Sequence, residues 1–193
     1  MRIHPRLLPK NSLCPCSHQV VRANPLEKSK YIRCILTLFS SQSNAVVYEC
    51  ASALVALSSS ITAIRAAANS YTQLLSNQSD NNIKLIVLER IIDLKRHHPK
   101  VVSEFIMDVL RALATSNLDI RRKTLDITLD LVTSSTIGEI MLVLKKEVVK
   151  TATEDGEKSA DYRALLIASI HKCVTQFPDA VTAVVPVLMD FLG

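Results

Sequence analysis

A small cluster of metal-ligating residue types lies near the start of the chain, in the stretch "NSLCPCSH". It contains Cys14, Cys16 and His18, whose thiolate and imidazole groups are preferred zinc ligands. Structural zinc sites usually require two ligand pairs with wider spacing inside a folded unit. This stretch offers one group among several prolines. We therefore interpret it as an irregular segment and predict no metal-binding residue.

Two adjacent histidines stand where a helix is expected to end. His97 and His98 point to different sides of a helix, so they cannot chelate as residues four apart do. Together with Lys95 and Arg96 they come just before Pro99, which cannot continue a helix. Their positive charge would complement the carbonyl end of the helix dipole. We predict a helix terminus at this point.

Several carboxylates are conceivable catalytic acids or bases: Glu89, Asp93, Glu104 and Asp108. None has a nucleophile or a histidine at a spacing that defines an active site. Asp93 lies three residues from both Arg90 and Arg96, so surface ion pairs explain it. The chain has three scattered glycines and therefore no phosphate-binding loop or nucleophile elbow. We predict no catalytic residue, no cofactor and no enzymatic activity.

Two basic groups could contact phosphate or anionic lipid: Arg121, Arg122 and Lys123, and then Lys145, Lys146 and Lys150. Carboxylates flank both groups: Asp119, Asp126 and Asp130 around the first, and Glu139 and Glu147 around the second. A solvated helix edge is the favoured interpretation. The alternative is a contact with a partner protein, which suits a helical-repeat fold.

The composition favours helices in a reducing compartment. Hydrophobic residues make up 48% of the 193 residues, and the three glycines are too few for the turns of a strand-rich fold. Five cysteines without regular spacing do not form a disulfide framework. The net charge of +5 arises in residues 1–33, which hold seven Lys or Arg and one Glu, whereas the remainder is nearly neutral. That distribution opposes a nucleic-acid-binding solenoid, the class that the high isoelectric point would suggest.

The chain divides into a short segment and a long helical domain. Residues 1–26 contain four prolines and no sustained period, so we predict an irregular or disordered segment. Residues 27–193 are predicted as one all-α domain of about nine helices: 29–40, 44–58, 61–76, 81–98, 100–115, 118–133, 137–151, 160–177 and 179–192. The expected N-terminal caps are Asn44, Asn81 or Asn82, Asn117 and Ser159. A solvated loop is expected over 151–160, and Pro186 should bend the last helix.

Two of these helices carry apolar residues on opposite faces at about 100° per residue. In the helix from Asp80 to His98 the first stripe is Ile83, Val87, Ile91 and Leu94, and the second is Leu85, Leu88 and Ile92. In the helix 118–133 the stripes are Leu118, Leu125, Leu129 and Val132, and then Ile120, Ile127 and Leu131. Asp119, Lys123, Asp126 and Asp130 form a polar edge between them. Such helices are predicted to be packed on both sides.

Similar positions recur early in four helices. Val47, Ile83, Ile120 and Tyr162 follow one another at nearly regular intervals. These intervals are close to the repeat of about 40 residues at which helix pairs stack into solenoids. We therefore predict a right-handed α-solenoid of HEAT/armadillo-like helix pairs. The apolar outer face of 179–192 would then meet a further repeat, so we expect self-association of the isolated chain.

A family resemblance supports this fold. The stretch "NAVVYECASALVALSSSITAIRAAANSY" resembles the helical trunk of adaptor and vesicle-coat proteins. The coatomer beta subunit family is matched more closely by "SDNNIKLIVLERIIDLK", "IMDVLRALATSNLDIRRKTLDITLDLV" and "VLKKEVVKT". Members of that family are several times longer, so the chain is expected to be an internal fragment.

The resemblance implies a structural segment of the COPI vesicle coat, acting by protein–protein contact in transport between Golgi and endoplasmic reticulum. The implied partners are other coatomer subunits and, in the full-length protein, a small GTPase of the ADP-ribosylation factor family. No nucleic acid is expected. The implied location is the cytoplasm and, peripherally, Golgi membranes and coated vesicles. No site residue transfers by motif. The alternative is another helical-repeat scaffold, of the adaptor type or, less favoured, one that binds nucleic acid.

Overall fold

The computed structural model describes residues 28–153 and 157–178, with side chains described over 28–151 and 159–178. Over these ranges the secondary structure is helical, without a strand. The elements are α1 (Lys28–Leu38), α2 (Asn44–Leu57), α3 (Ile61–Asn77), α4 (Asn81–His97), α5 (Pro99–Ser103), α6 (Ile106–Leu110), the 3₁₀ helix η1 (Arg111–Ala114), α7 (Leu118–Leu131), α8 (Ile137–Thr153) and α9 (Glu157–Gln176). The chain forms two compact units, Met1–Tyr71 and Thr72–Gly193.

In the first unit, α1 packs against α2. No residue of α1 is buried, whereas α2 buries four side chains: Cys50, Ala51, Leu54 and Leu57. Tyr71 of α3 is 2% exposed, and its hydroxyl lies 3.0 Å from Ser52 Oγ. Its ring centroid is 6.0 Å from that of Tyr48. Tyr71 therefore fixes the position of α2 against the first part of α3.

In the second unit, α4, α7 and α9 pack side by side, with α7 in the middle. Helix α8 packs against α9, and α5, α6 and η1 pack against α7. The helices α2, α4, α7 and α9 begin at Asn44, Asn81, Leu118 and Glu157. Each start follows the previous one at the spacing of about 40 residues that helix-pair repeats show. The predicted repeat of helix pairs is thus confirmed, as is the all-α class of HEAT/armadillo-like pairs.

Burial on both sides of α7 follows the two predicted stripes. Leu125, Leu129 and Val132 of one stripe are buried, as are Ile120, Ile127 and Leu131 of the other. Leu118, the remaining member of the first stripe, is only half-buried. Between them, Asp119, Asp126 and Asp130 are exposed. Helix α7 is therefore the core helix of the second unit and reaches solvent along its polar edge.

Helix α4 corrects part of the same prediction. Val87, Ile91 and Leu94 are buried together with Leu88, but Ile83 of the first stripe is 40% exposed. The other two members of the second stripe, Leu85 and Ile92, are only half-buried. Full burial of both stripes was wrong here, because the first stripe is buried only from Val87 onward and the second only at Leu88.

The segment predicted as one helix over 100–115 is broken into α5, α6 and η1. The amides of Glu104 and Phe105 donate to carbonyls three residues earlier, at 3.2 and 3.0 Å, which tightens the turn. In a straight helix Val101 and Ala112 would lie about 140° and 120° around the axis from Ile106. In the broken segment both side chains are buried, as Ile106 is.

The helix ends agree only in part with the predicted caps. Asn117 Oδ1 accepts from the amide of Ile120 at 3.0 Å, as predicted. Asp80, rather than Asn81 or Asn82, caps α4, and Ser43 precedes α2 without a side-chain cap. Ser159 lies inside α9, since α8 and α9 extend into the loop predicted over 151–160. Both helices continue further than predicted.

Some predictions fall on residues outside the described ranges. These are the irregular segment 1–26, the helix 179–192, the bend at Pro186 and the cluster of Cys14, Cys16 and His18. The single-domain boundary at residue 27 also stays a prediction. None of the described helices combines the length and apolar character that crossing a bilayer requires.

Candidate interaction surface

Three ion pairs join the solvent-facing edges of neighbouring helices in the second unit. We define the α7 rim as Asp119, Lys123, Asp126 and Asp130. Lys123 Nζ pairs with Glu89 of α4. Asp130 Oδ2 accepts from Lys95 Nζ of α4 at 2.5 Å, and its Oδ1 lies 4.0 Å from Lys172 Nζ of α9. Asp130 thus connects all three helices of the row.

The carboxylates of these ion pairs are exposed to solvent. The Asp130 side chain is 52% exposed and that of Lys95 is 15% exposed. An exposed pair typically contributes about 0–1 kcal/mol, because water screens the charges and two long side chains lose freedom. The rim therefore contributes mainly to the alignment of adjacent helices. It leaves a surface of mixed charge, in agreement with the solvated edge predicted from sequence.

A second polar cluster lies beneath the surface and begins at Arg121. Arg121 Nε–H donates to the carbonyl of Leu113 at 3.2 Å, and the guanidinium carbon lies 3.7 Å from the ring centroid of Tyr162. The Tyr162 hydroxyl donates to Glu147 Oε2 at 3.2 Å. Glu147 is 7% exposed and also pairs with Lys150. Hydrogen bonds to charged groups link η1 to α7 and α8 to α9, and the cation–π contact of Arg121 with Tyr162 links α7 to α9.

The same cluster continues at the end of α8. Ser159 Oγ–H donates to the Thr151 carbonyl at 3.1 Å, and Arg163 Nε–H donates to Thr151 Oγ1 at 3.3 Å. Arg163 Nη2 donates to that carbonyl as well. Thr151 is 1% exposed, so its polar atoms require partners within the protein. These hydrogen bonds hold the beginning of α9 against the end of α8.

The members of each predicted basic group have different surroundings in the structure. Arg121 is directed inward to Tyr162, whereas Arg122 is exposed and Lys123 belongs to the rim. In the second group Lys150 is paired with Glu147, and Lys146 is exposed. The inward contact of Arg121 with Tyr162 was not predicted from the sequence. The available signal was Tyr162, an aromatic residue at a repeat position predicted to be early in its helix.

Three of the candidate carboxylates, Glu89, Asp93 and Asp108, take part in ion pairs. Asp93 Oδ1 lies 3.0 Å from Arg96 Nη1, and its Oδ2 lies 3.7 Å from Arg90 Nη1, as predicted. Asp108 Oδ1 is 3.5 Å from Arg111 Nη2. The predicted helix end at the histidines is observed, since α4 ends at His97. No group of His, Cys, Asp or Glu suitable for a metal ion occurs in the described part of the chain.

Three cysteines within the described ranges are free thiols. Cys34 is exposed, whereas Cys50 and Cys173 are buried. Burial raises the pKa of both buried thiols, and the neighbouring Glu49 carboxylate raises the pKa of Cys50 further. A thiol with a raised pKa is a weak nucleophile at neutral pH. Cys50 and Cys173 therefore serve as small apolar core residues.

The chain is similar in sequence to one protein family and to several coatomer beta subunits. The family described as the adaptin N-terminal region matches residues 15–193. Coatomer subunit beta-1 of Arabidopsis thaliana is 57% identical over 174 residues, which is 90% of this chain and 18% of that protein. Coatomer subunit beta of Dictyostelium discoideum is 49% identical over 175 residues, and that of Sus scrofa is 49% identical over 179 residues. In both cases the aligned part is 91% of this chain and 19% of the relative.

The chain thus spans less than a fifth of the length of these relatives. The resemblance to coatomer beta subunits inferred from the sequence motifs is confirmed by these identities. The family match covers nearly all of the chain, including every described helix. The protein accordingly belongs to the family of the adaptin N-terminal region.

Proposed function

We propose that the chain is a scaffold segment of the COPI vesicle coat and acts in protein transport between Golgi and endoplasmic reticulum. The observation that carries the proposal is the identity of 49–57% to coatomer beta subunits over about 90% of the chain. These relatives come from a plant, an amoeba and a mammal. The adaptor-type and nucleic-acid-binding alternatives are not favoured by any of them.

The geometry of the second unit supports a role in protein–protein contact without chemistry. The candidate catalytic carboxylates include Asp93 and Asp108, which are paired with arginines. The polar cluster at Tyr162 and Glu147 is held between helices, where it stabilises the packing. What remains for recognition is the solvent-facing surface of the helices, which is the part of a solenoid that partners bind.

The proposed partners are other coatomer subunits and, in the context of a full-length protein, a small GTPase of the ADP-ribosylation factor family. Attachment to Golgi membranes is proposed to be peripheral and to occur through the coat. We propose the cytoplasm, Golgi membranes and coated vesicles as the location. Nucleic acid is not among the proposed partners, since residues 34–193 are nearly neutral.

Co-purification tests the proposal directly. The full chain, tagged and expressed in eukaryotic cells, is expected to isolate the other coatomer subunits as identified by mass spectrometry. Leu125→Asp serves as the unfolded control, because Leu125 is 1% exposed. Asp126→Asn on the α7 rim serves as the folded control. Recovery of no coatomer subunit by the folded, unmodified chain would contradict the proposal.

A further inference from the structure

Positive charge is concentrated in the first of the two compact units. The first unit, Met1–Tyr71, contains eight Lys or Arg and two Glu, which gives a net charge of +6. The second unit, Thr72–Gly193, contains fifteen Lys or Arg and sixteen Asp or Glu, which gives −1. Ion pairs within a unit do not alter its total charge. A unit with such an excess is attracted to extended anionic surfaces, and the attraction weakens as salt increases.

Helix α1 carries part of this charge at the surface. Its basic residues are Lys28, Lys30 and Arg33, and it contains no Asp or Glu. Lys28 is half-buried, whereas Lys30 and Arg33 are exposed and lie about 60° apart around the helix. Lys30 also interacts with another group of the protein. Arg33 is therefore the cation of α1 that is most available to an external anion.

An exposed aliphatic side chain lies next to these cations. Leu36 is 43% exposed and lies about 60° from Arg33, on the side away from Lys30. Although α1 packs against α2, none of its residues is buried. Cations beside exposed aliphatic side chains on a helix suit the boundary between lipid headgroups and acyl chains.

We propose that the first unit binds the surface of an anionic lipid membrane through the α1 face, defined as Lys30, Arg33 and Leu36. The two basic side chains contact the anionic headgroups, and each basic residue close to such a surface strengthens binding about fivefold. Leu36 enters the boundary beneath the headgroups. The other basic residues of the unit add to the attraction over a longer range.

A lipid surface fits these features better than RNA does. Proteins that bind single-stranded RNA stack its bases on exposed aromatic side chains. The aromatic residues in the described part of the first unit are half-buried or buried: Tyr31, Phe39, Tyr48 and Tyr71. The exposed apolar residue beside Arg33 is aliphatic instead, which suits lipid.

An acidic protein segment also fits less well. A partner helix would cover one face of α1, whereas the basic residues of the first unit are spread along its sequence from Arg2 to Arg65. A continuous anionic surface can attract all of them at once. Direct lipid binding goes beyond the proposed function, in which the coat supplies the attachment to membranes. It depends on the charge of this chain and can be tested without any coat protein.

Flotation of the purified full chain with vesicles tests the proposal. One set of vesicles is phosphatidylcholine with roughly one-third phosphatidylserine, and the matched set is phosphatidylcholine alone. We expect flotation with the anionic vesicles, at least about tenfold less with the neutral ones, and release as NaCl rises from about 0.1 to 1 M. No flotation with anionic vesicles, or equal flotation with both sets, would overturn the proposal.

Soluble polyanions test the choice of lipid over other partners. Homopolymeric RNA and polyglutamate are added in turn to the chain bound to anionic vesicles. We expect neither to release the chain when its negative charge equals that of the accessible phosphatidylserine. Release by RNA or by polyglutamate at or below that charge would assign the α1 face to a nucleic acid or to an acidic protein and would overturn the proposal.

Matched charge variants locate the contact on α1. The double variant Lys30→Gln and Arg33→Gln is expected to weaken flotation about tenfold. Arg122→Gln combined with Lys146→Gln removes two positive charges from exposed positions of the second unit, and should change flotation less than about twofold. Circular dichroism and Tm verify that each variant is folded. Equal losses in the two double variants would refute a contact at α1.

A matched pair of leucines tests the apolar part of the contact. Leu36→Gln should weaken flotation severalfold, whereas Leu142→Gln should not, although Leu142 of α8 is 69% exposed. Equal effects of the two substitutions would contradict the assignment of Leu36. Vesicle binding without co-purification of coatomer subunits would leave the lipid site in place while the proposed function fails. Co-purification without vesicle binding would refute only the lipid site.

Discussion

At the scale of single residues, the contact between Arg121 and Tyr162 explains how polar groups can be buried in an aliphatic core. Tyr162 is 1% exposed, and it meets a guanidinium on its ring face and a carboxylate at its hydroxyl. A buried charge is tolerated only when hydrogen bonds and an opposite charge compensate its desolvation. Glu147 has both, through Tyr162 and Lys150.

Removing the Tyr162 hydroxyl should therefore destabilise the second unit. We expect Tyr162→Phe to lower the free energy of unfolding by about 2 kcal/mol, the usual range for a hydrogen bond to a charged group. Urea denaturation followed by circular dichroism measures the change. Asp126→Asn, at an exposed position, is the control and should change stability by less than about 0.5 kcal/mol. Equal stability of Tyr162→Phe and the unmodified chain would show that the hydroxyl contributes nothing.

The cysteines should differ in reactivity. Burial raises the pKa of Cys50 and Cys173, so both are expected to react with iodoacetamide much more slowly than the exposed Cys34 at pH 8. Residue-resolved mass spectrometry of a time course measures the rates. Comparable rates at all three residues would contradict the burial.

The same thiols predict how stability responds to alkaline pH. Because the folded-state pKa is raised, the unfolded state loses its thiol protons first as pH increases. The contribution to stability is complete below the ordinary thiol pKa, near 9.0, and declines as pH rises through and above it. Replacing both residues by alanine should reduce this alkaline decline.

At the scale of elements, α7 is the helix on which the second unit depends. Leu125→Asp places an unpaired carboxylate among buried aliphatic residues, since Leu125 is 1% exposed. The cost is several kcal/mol, enough to unfold the unit at 25 °C. Loss of helical circular dichroism and of thermal cooperativity measures it. The adjacent Asp126→Asn should remain folded, and a folded Leu125→Asp variant would show that α7 does not form the core.

Helix capping offers a matched pair of substitutions. Asn117 accepts a hydrogen bond from the Ile120 amide, whereas Ser43 makes no side-chain cap bond for α2. Asn117→Ala should cost about 1 kcal/mol, and Ser43→Ala should cost much less. Thermal unfolding of the two variants under one set of conditions compares them. A larger effect at Ser43 would contradict the observed cap geometry.

The elements also show where sequence periodicity is informative. The beginning of α7 and its two apolar stripes were predictable, because Asn117 is a favourable N-cap residue and the aliphatic residues that follow it recur at helical spacing. The breaks between α5, α6 and η1 were not predictable, because no Gly or Pro marks them in the sequence. The exposure of Leu142 was equally unpredictable from the sequence, since an aliphatic residue in an apolar run is expected to be in the core.

At the scale of the whole molecule, protection against solvent is expected to be uneven among the helices. No residue of α1 is buried, whereas α7 has neighbours on several sides. Amide hydrogen exchange reports this difference, because exchange requires local opening. The amides of α1 should exchange fastest among the described helices, and those in the middle of α7 slowest. Similar rates in α1 and α7 would contradict the prediction.

The fold class could be predicted from the sequence. The spacing of aliphatic residues, the scarcity of glycine and the regular recurrence of helix pairs each indicate an α-solenoid. Contacts between helices that are distant in the sequence were harder to predict. The three-helix connection at Asp130 joins Lys95 and Lys172, which are far apart in the chain, so neither partner can be inferred from local spacing. Arg121 presents the same difficulty, because its partners come from η1 and α9.

The evenly spaced starts of α2, α4 and α7, at Asn44, Asn81 and Leu118, restrict how such a chain can change its length. Removal of residues 81–117 would take out one complete helix pair and leave α3 followed by a helix that begins as α4 does. Removal of half as many residues would leave one helix without the partner helix of its pair. Exon boundaries, evolutionary insertions and engineered truncations should therefore be tolerated in whole-pair steps.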